Sequence, residues 1–315
     1  MDVSPDVLES LQLFSQVCVS IVLEATPFLL LGSLVSGFFE VFVPQERIDK
    51  FVPKNPLAGA LFGVFLGMLM PCCECGIVAL VRRLLAKNVP PPTAVAFMLA
   101  GPVINPVVLA STVVAFQGDW TMAWWRMGLV GLMALVVALA TRRMKAEDIL
   151  KPLGAFSSQA LFGSLDEALP LTVLNPGLGS RLKAALGHSL GDFLDMGKIL
   201  VIGAVVAAAF KTWMPEGLVA MFEKDLLMSV LAMMILAVIL SLCSQADAFV
   251  AASFTGFPGA AKLAFLALGP VLDFKLVLMW SQSFRKDFVR ILITLPVTMV
   301  FAVCMVLGAA KWVGQ

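Results

Sequence analysis

Charge is scarce in this chain. Of its 315 residues, 14% are charged, against about a quarter in an ordinary soluble domain. Hydrophobic residues make up 60% and the mean hydropathy is +0.97. A soluble fold cannot hide that much apolar surface. The few charges balance to +1, so no basic face is available for nucleic acid. There is a single histidine, His188, and no Cys/His spacing of the zinc type. There is also no phosphate loop and no G-x-S-x-G elbow, which excludes an ATPase and a hydrolase of that kind. The first ten residues, MDVSPDVLES, contain no Lys or Arg. A cleaved signal needs a basic start, so the first apolar segment is expected to stay as a transmembrane helix. The six cysteines lie in apolar segments rather than secreted loops, which argues against a disulfide framework.

What is present is a series of apolar runs long enough to cross a bilayer as helices. Eight can be drawn, roughly 12–42, 57–81, 93–116, 124–141, 190–213, 226–250, 259–283 and 289–311. The expected fold is an all-α polytopic membrane protein of about eight transmembrane helices in two pseudo-symmetric four-helix halves, with broken helices at the midplane. Residues 1–141 form the first half, 142–187 a polar cytoplasmic linker and 188–315 the second half.

A repeat underlies this division. A shift of 171 carries Glu24 onto Asp195, Gly32 onto Gly203, Pro44 onto Pro215 and Cys72 onto Cys243. A shift of 168 carries "GPVIN" (Gly101 to Asn105) onto "GPVLD" (Gly269 to Asp273), and Arg126 and Arg290 open the fourth segment of each half. Four crossings per half relate the halves by an axis along the membrane normal. A re-entrant break makes the count odd and the halves inverted; transporters use both arrangements. The linker and "RRLLAK" (Arg82 to Lys87) are the richest in basic residues and are placed in the cytoplasm. With an even count per half, both termini join them.

The chemistry concentrates at breaks. "LMPCCECGIVAL" puts Cys72, Cys73, Glu74 and Cys75 between Pro71 and Gly76, midway along an apolar segment. Pro102 and Pro106 break the next segment around Asn105, and "CSQAD" (Cys243 to Asp247) with "GPVLD" repeats the pair of breaks. Broken backbone at membrane depth survives only where protein or a water-filled cavity satisfies it, so these breaks point to a midplane site. Thiolates there suit Cu(I), Zn(II) and other thiophilic ions, and Met68 and Met70 could add thioethers. A carboxylate can neutralise a cation or carry a proton. The bland alternatives are packing for Cys18 and Cys304, a local ion pair for Asp195 and Lys198, a helix-packing bond for Glu24, and capping of its own backbone by Asn105. His188 reads as interfacial. Asp273 and Lys275 flank the second-half break.

The motifs "PCCECG" (Pro71 to Gly76), "AFMLAGPVINPVVLAST" (Ala96 to Thr112) and "CSQADAFVAASF" (Cys243 to Phe254) resemble, in that order, the DUF318 or UPF0718 predicted permeases. That family includes organoarsenical efflux permeases, and the likeness spans most of the chain. It implies eight spans and a permease whose thiols meet the substrate. Ala79 stands where relatives often have proline, and Gln245 replaces an acid; the missing charge puts any fixed metal stoichiometry in doubt.

The expectation is a multi-pass permease of a bacterial or archaeal cytoplasmic membrane that exports a thiophilic metal or metalloid ion or compound, and not an enzyme. The substrate-binding set is Cys72, Cys73, Glu74, Cys75, Asn105, Cys243 and Asp247, with Cys72, Cys73, Cys75 and Cys243 as metal ligands. Glu24, Asp195 and Asp273 are assigned to proton coupling, a role for which Glu74 and Asp247 also qualify. No resident cofactor is expected; a thiophilic metal ion would be substrate. Partners are the bilayer, a small inorganic or thiol-reactive substrate, and a second copy or an accessory protein. The rivals are a permease for a small organic or anionic solute with structural cysteines, and a membrane thiol-redox enzyme.

Overall fold

The computed structural model describes residues 5–42, 51–69, 74–151, 178–213 and 225–310. These residues form helices and no β-strand. The first half comprises α1 (Pro5–Phe42), α2 (Pro56–Leu69), α3 (Glu74–Ala86), α4 (Pro91–Ala100), α5 (Pro106–Ala115) and α6 (Trp120–Ala140), followed by a single turn, α7 (Ala146–Ile149). The second comprises α8 (Leu178–Trp213), α9 (Leu226–Leu240), α10 (Asp247–Ser253), α11 (Gly259–Leu268), α12 (Phe274–Ser283) and α13 (Lys286–Ala309). Helix α8 starts inside the stretch read as linker.

Three helices, α1 over Leu11–Phe39, α6 and α13, are long and apolar enough to span a bilayer. Others are half-length. At 1.5 Å per residue, α2 and α4 reach about 21 and 15 Å, against a hydrocarbon core of about 30 Å. The breaks between them follow local chemistry. Helix α4 ends at Gly101, and α5 restarts at Pro106 with Asn105 as its cap: Asn105 Oδ1 accepts from Val108 N at 2.9 Å. In the second half Asp273 Oδ1 caps α12 by accepting from Leu276 N at 2.6 Å. Helix α9 ends at Ser241 in the left-handed region, φ 48°, a common way to stop a helix.

Glycine contacts fix the helix directions. A Cβ at Gly59 would meet Thr93, one at Gly63 the Thr93 carbonyl and Ala96, and one at Gly67 the backbone of Gly101. This i, i+4, i+8 stripe lays α2 along α4, with both running the same way. Four residues separate α3 from the end of α2 and four separate it from the start of α4, and its Ile77 lies against Gly101. It therefore runs back to the end where α2 began. The single broken crossing expected over 57–81 is instead a helix pair folded back on itself.

The second half follows the same plan. A Cβ at Gly308 would meet both Leu226 and Ala260, and one at Gly269 would meet Ala237 and lie 4.0 Å from Asp247 Oδ2, so α9 and α11 also run side by side and α10 starts beside the close of α11.

The end of the bundle holding the close of α3 is basic. There Arg83 Nε pairs with Asp192 Oδ2 at 2.8 Å, Ser36 Oγ donates to the same oxygen at 2.9 Å, and Lys87 Nζ donates to the Phe39 carbonyl at 3.1 Å. Lys151 N donates to Ser283 O at 3.1 Å and Arg285 N to Ile149 O at 2.8 Å. The close of α1, the start of α8, the close of α12 and the start of α13 thus share this end. Helix α1 accordingly starts, and α13 finishes, at the opposite one.

Helices α4 and α11 form the centre. All of α4 from Pro92 to Ala100 is buried, as is all of α11 except Lys262. Helices apolar all round belong inside. Helices α1, α2, α8 and α9 present Leu23, Phe65, Ile202 and Ile235 outward, an apolar belt suited to lipid. Trp120 and Trp124 are exposed at the start of α6, where an interfacial aromatic is expected.

Candidate translocation site

The two Gly-Pro-Val turns meet. Pro102 from the first and Pro270 and Val271 from the second line one small cavity, together with Glu74, Ile77 and Val78 of α3 and Leu276 and Trp280 of α12. Its volume is about 10 Å³, the room of roughly one water. Glu74, the first residue of α3, is 2% exposed. Its Oε1 lies 3.8 Å from Lys275 Nζ, which in turn lies 3.4 Å from Asp273 Oδ2. Glu74 Oε2 and Trp280 Nε1 are buried with no hydrogen-bond partner. The residues around the cavity thus include a buried acceptor and a buried donor without hydrogen-bond partners, among otherwise apolar side chains.

A second buried cluster joins the halves. Asp247, the first residue of α10, pairs through Oδ2 with Arg126 Nη2 of α6 at 2.7 Å. The same nitrogen donates to the Ser244 carbonyl at 3.0 Å, and Arg126 Nη1 donates to Thr112 Oγ1 of α5 at 2.9 Å. One guanidinium therefore holds the second-half break against the first half. Arg290, its repeat mate, is exposed and pairs with Asp287 on its own helix at 3.5 Å.

Several expected site residues can now be placed. Glu74, Asp273 and Asp247 are buried at the breaks. Asn105 is buried too, but its amide is committed: Nδ2 donates to Gly101 O at 3.0 Å while Oδ1 caps α5. That is the backbone role the sequence left open. Cys243 is half-buried in the second-half break. Cys75 lies in the first turn of α3, its side chain outside the described residues; Cys72 and Cys73 lie outside them altogether. Glu24 is exposed on α1, and Asp195 pairs with Lys198 at 3.1 Å, as the bland alternative has it. Among the described residues no three His, Cys, Asp or Glu side chains converge as a metal site.

Two residues of these clusters escape the sequence reading. Arg126 stands there only as a marker of the repeat, although a basic residue within an apolar helix is itself a site signal. Trp280 gives no signal.

The cavity and its charges belong to a recognisable kind of chain. A family model described as "Predicted permease", ArsP_1, matches residues 10–309. The chain belongs to the ArsP_1 family of predicted permeases. Among its relatives, the UPF0718 protein YcgR of Bacillus subtilis is 39% identical over 290 residues, covering 91% of this chain and 94% of that one. A Streptococcus mutans protein named "Putative two-component membrane permease complex subunit" is 33% identical over 309 residues, covering 97% of each. The UPF0718 protein YraQ of Escherichia coli is 25% identical over 160 residues, covering 46% and 45%. No solved structure matches. Membership in ArsP_1 makes the cavity and its buried charges parts of a membrane permease.

Proposed function

We propose that this permease exports a thiophilic metal or metalloid ion or compound through a midplane site built between inverted halves, residues 1–141 and 188–315, joined by the cytoplasmic linker 142–187. The observation that carries the reading is the meeting of the two Gly-Pro-Val turns with Glu74 at one cavity. Broken backbone from both halves at one depth is how transporters assemble a central site.

The helix directions support six crossings: α1, α4 with α5, α6, α8, α11 with α12, and α13. Two helix pairs, α2–α3 and α9–α10, enter and return. This replaces the eight crossings expected from hydropathy, in which each re-entrant pair counts as a span. Three crossings per half invert the second half relative to the first. The basic end, with Arg82, Arg83, Lys87, Arg142, Arg143 and Lys145, faces the cytoplasm. The start of α1 and the end of α13 then face outward, because an odd number of crossings separates each from the linker.

The thiophilic part of the reading rests on the sequence. Cys72, Cys73 and Cys75 flank Glu74, and soft ligands beside a carboxylate suit a soft, positively polarised substrate. Transport is coupled to a proton. The name of the Streptococcus relative supports an accessory subunit.

The test is vesicle flux and equilibrium binding with a trivalent arsenical and with Zn²⁺ as probes. Replacing Cys72, Cys73 and Cys75 with serine keeps size and a hydrogen-bonding group but removes the soft ligand. Binding and flux of at least one probe in the wild type, lost in the triple-serine protein, is the expected result. Wild-type flux in the triple-serine protein would favour a permease for a different solute with structural cysteines.

A further inference from the structure

We propose that the seam between α3 and α12 is the passage from the cavity to the basic end of the bundle, and that Lys151 is the residue that holds it shut. Its use as a passage rests on the permease reading; the closed seam does not.

Helices α3 and α12 both start at the cavity and close at the basic end. Ile77 and Val78 line the cavity from α3, and Leu276 and Trp280 line it from α12. Residues three and four apart share a helix face. Val81 and Leu85 therefore continue the face of Ile77 and Val78, and Ser283 continues the face of Leu276 and Trp280. All three continuing residues are 0% exposed, so the seam is shut to water between the cavity and the basic end.

The α12 side of this seam is not wholly apolar. Trp280 Nε1 and Ser283 Oγ are buried with no hydrogen-bond partner among the described residues. Buried side-chain polar atoms nearly always find a partner in protein or ordered water. A permanently dry seam gains nothing from an indole N–H and a hydroxyl one turn apart on the way out of the cavity. A seam that opens to water does, because both groups are then hydrated and line the route that a solute takes.

The ends of the two helices are joined through Lys151. Arg82 of α3 donates from Nη2 to the Lys151 carbonyl at 3.4 Å. Lys151 donates from its backbone N to Ser283 O at 3.1 Å and from Nζ to Ser281 O, both on α12. The turn before it fixes its position. Arg285 N donates to Ile149 O at 2.8 Å, Leu150 and Phe284 form an antiparallel bridge, and Ile149 and Phe284 are fully buried. On its other side α3 is anchored separately, by Arg83 on Asp192 of α8 and by Lys87 on the Phe39 carbonyl of α1. Breaking the Lys151 contacts thus loosens α12 from α3 while α3 stays on α1 and α8. The Arg82 contact is long for a hydrogen bond, which suits a joint that parts and closes again.

Thiol reactivity of purified protein in nanodiscs reads the seam without any transport assay. Cysteine-free protein carrying Ser283→Cys or Leu276→Cys is treated with a quaternary-ammonium methanethiosulfonate. Asn88→Cys, exposed at the basic end, is the reference for an open thiol. Both buried positions should react far more slowly than the reference. Lys151→Pro removes the backbone N–H and the ammonium together, and Leu150 (φ −77°, ψ 138°) already has the extended backbone that a following proline requires. It should speed both reactions about tenfold, the scale of one or two lost hydrogen bonds. Arg82→Gln leaves the turn intact and should also speed both. Lys151→Arg keeps both donors and should leave both slow. Unchanged rates in Lys151→Pro, or in Arg82→Gln where the proline variant misfolds, would overturn the closure, as would a Ser283→Cys protein that already reacts like the reference. A faster reaction at Ser283→Cys but not at Leu276→Cys, about 10 Å deeper along the helix, would overturn the passage and leave only a frayed helix end. The labelling needs no solute, so protein that gives the expected rates yet moves neither a trivalent arsenical nor Zn²⁺ would refute the permease reading alone.

Discussion

Arg126 shows how much one side chain can hold together. It is 1% exposed and binds a carboxylate and a backbone carbonyl of the second-half break and a hydroxyl of α5. Removing one member of a buried pair leaves an uncompensated charge, at a cost of about 3–5 kcal/mol. Arg126→Met should therefore lower the unfolding midpoint of the purified protein sharply. The double variant with Asp247→Leu should recover most of the loss, since replacing both partners by apolar groups is often nearly neutral. Arg126→Lys should recover little: an ammonium cannot reproduce the fork that reaches Thr112, Ser244 and Asp247 together. Thermal melts of the three variants in one detergent check this; equal melts would mean that the pair does not hold the break. Glu74, Asp273 and Asp247 were legible as carboxylates enclosed at the breaks because a carboxylate in an apolar run is costly and calls for a polar interior. Asn105 was legible only as an ambiguity, which its own hydrogen bonds resolve toward backbone capping.

At the scale of helices, position along α2 matters more than composition. Gly63 lies against the Thr93 carbonyl and Phe97, whereas Gly128 on α6 has open space where a Cβ would go. Gly63→Ala should force α2 away from α4 and cost about 1–3 kcal/mol, the range for overpacking. Gly128→Ala should be neutral or stabilising by up to about 1 kcal/mol, from helix propensity alone. Unfolding of the two variants side by side separates the effects, and equal stability would remove the close α2–α4 packing. The break over Gly101 to Pro106 was readable from its prolines and its glycine. The fold-back of α2 onto α3 was not. A run of apolar residues broken in the middle has the same composition whether its second half continues across the membrane or returns, and the contacts that decide between these, Gly67 with Gly101 and Ile77 with Gly101, are tertiary.

At the scale of the molecule, the proposed inversion changes what lies on each face. Counting both re-entrant pairs as spans puts the connection at Lys54 and Asn55 and the connection at Lys87 and Asn88 on opposite sides, and spreads the basic residues over both faces. Folding α3 back puts both connections at the basic end, beside Arg82 and Arg142, so that the charge bias and the helix directions agree. It also lets the two Gly-Pro-Val turns enter from opposite faces and meet at Glu74, which is the geometry on which the permease reading depends. The measurement that tests this most directly is labelling with a membrane-impermeant maleimide of cysteine-free protein carrying Asn55→Cys or Asn88→Cys, in right-side-out and inverted vesicles. The inverted arrangement predicts that both positions react in inverted vesicles and neither in right-side-out ones. Reaction of the two from opposite faces would mean that α2 and α3 cross the membrane between them, and would contradict it.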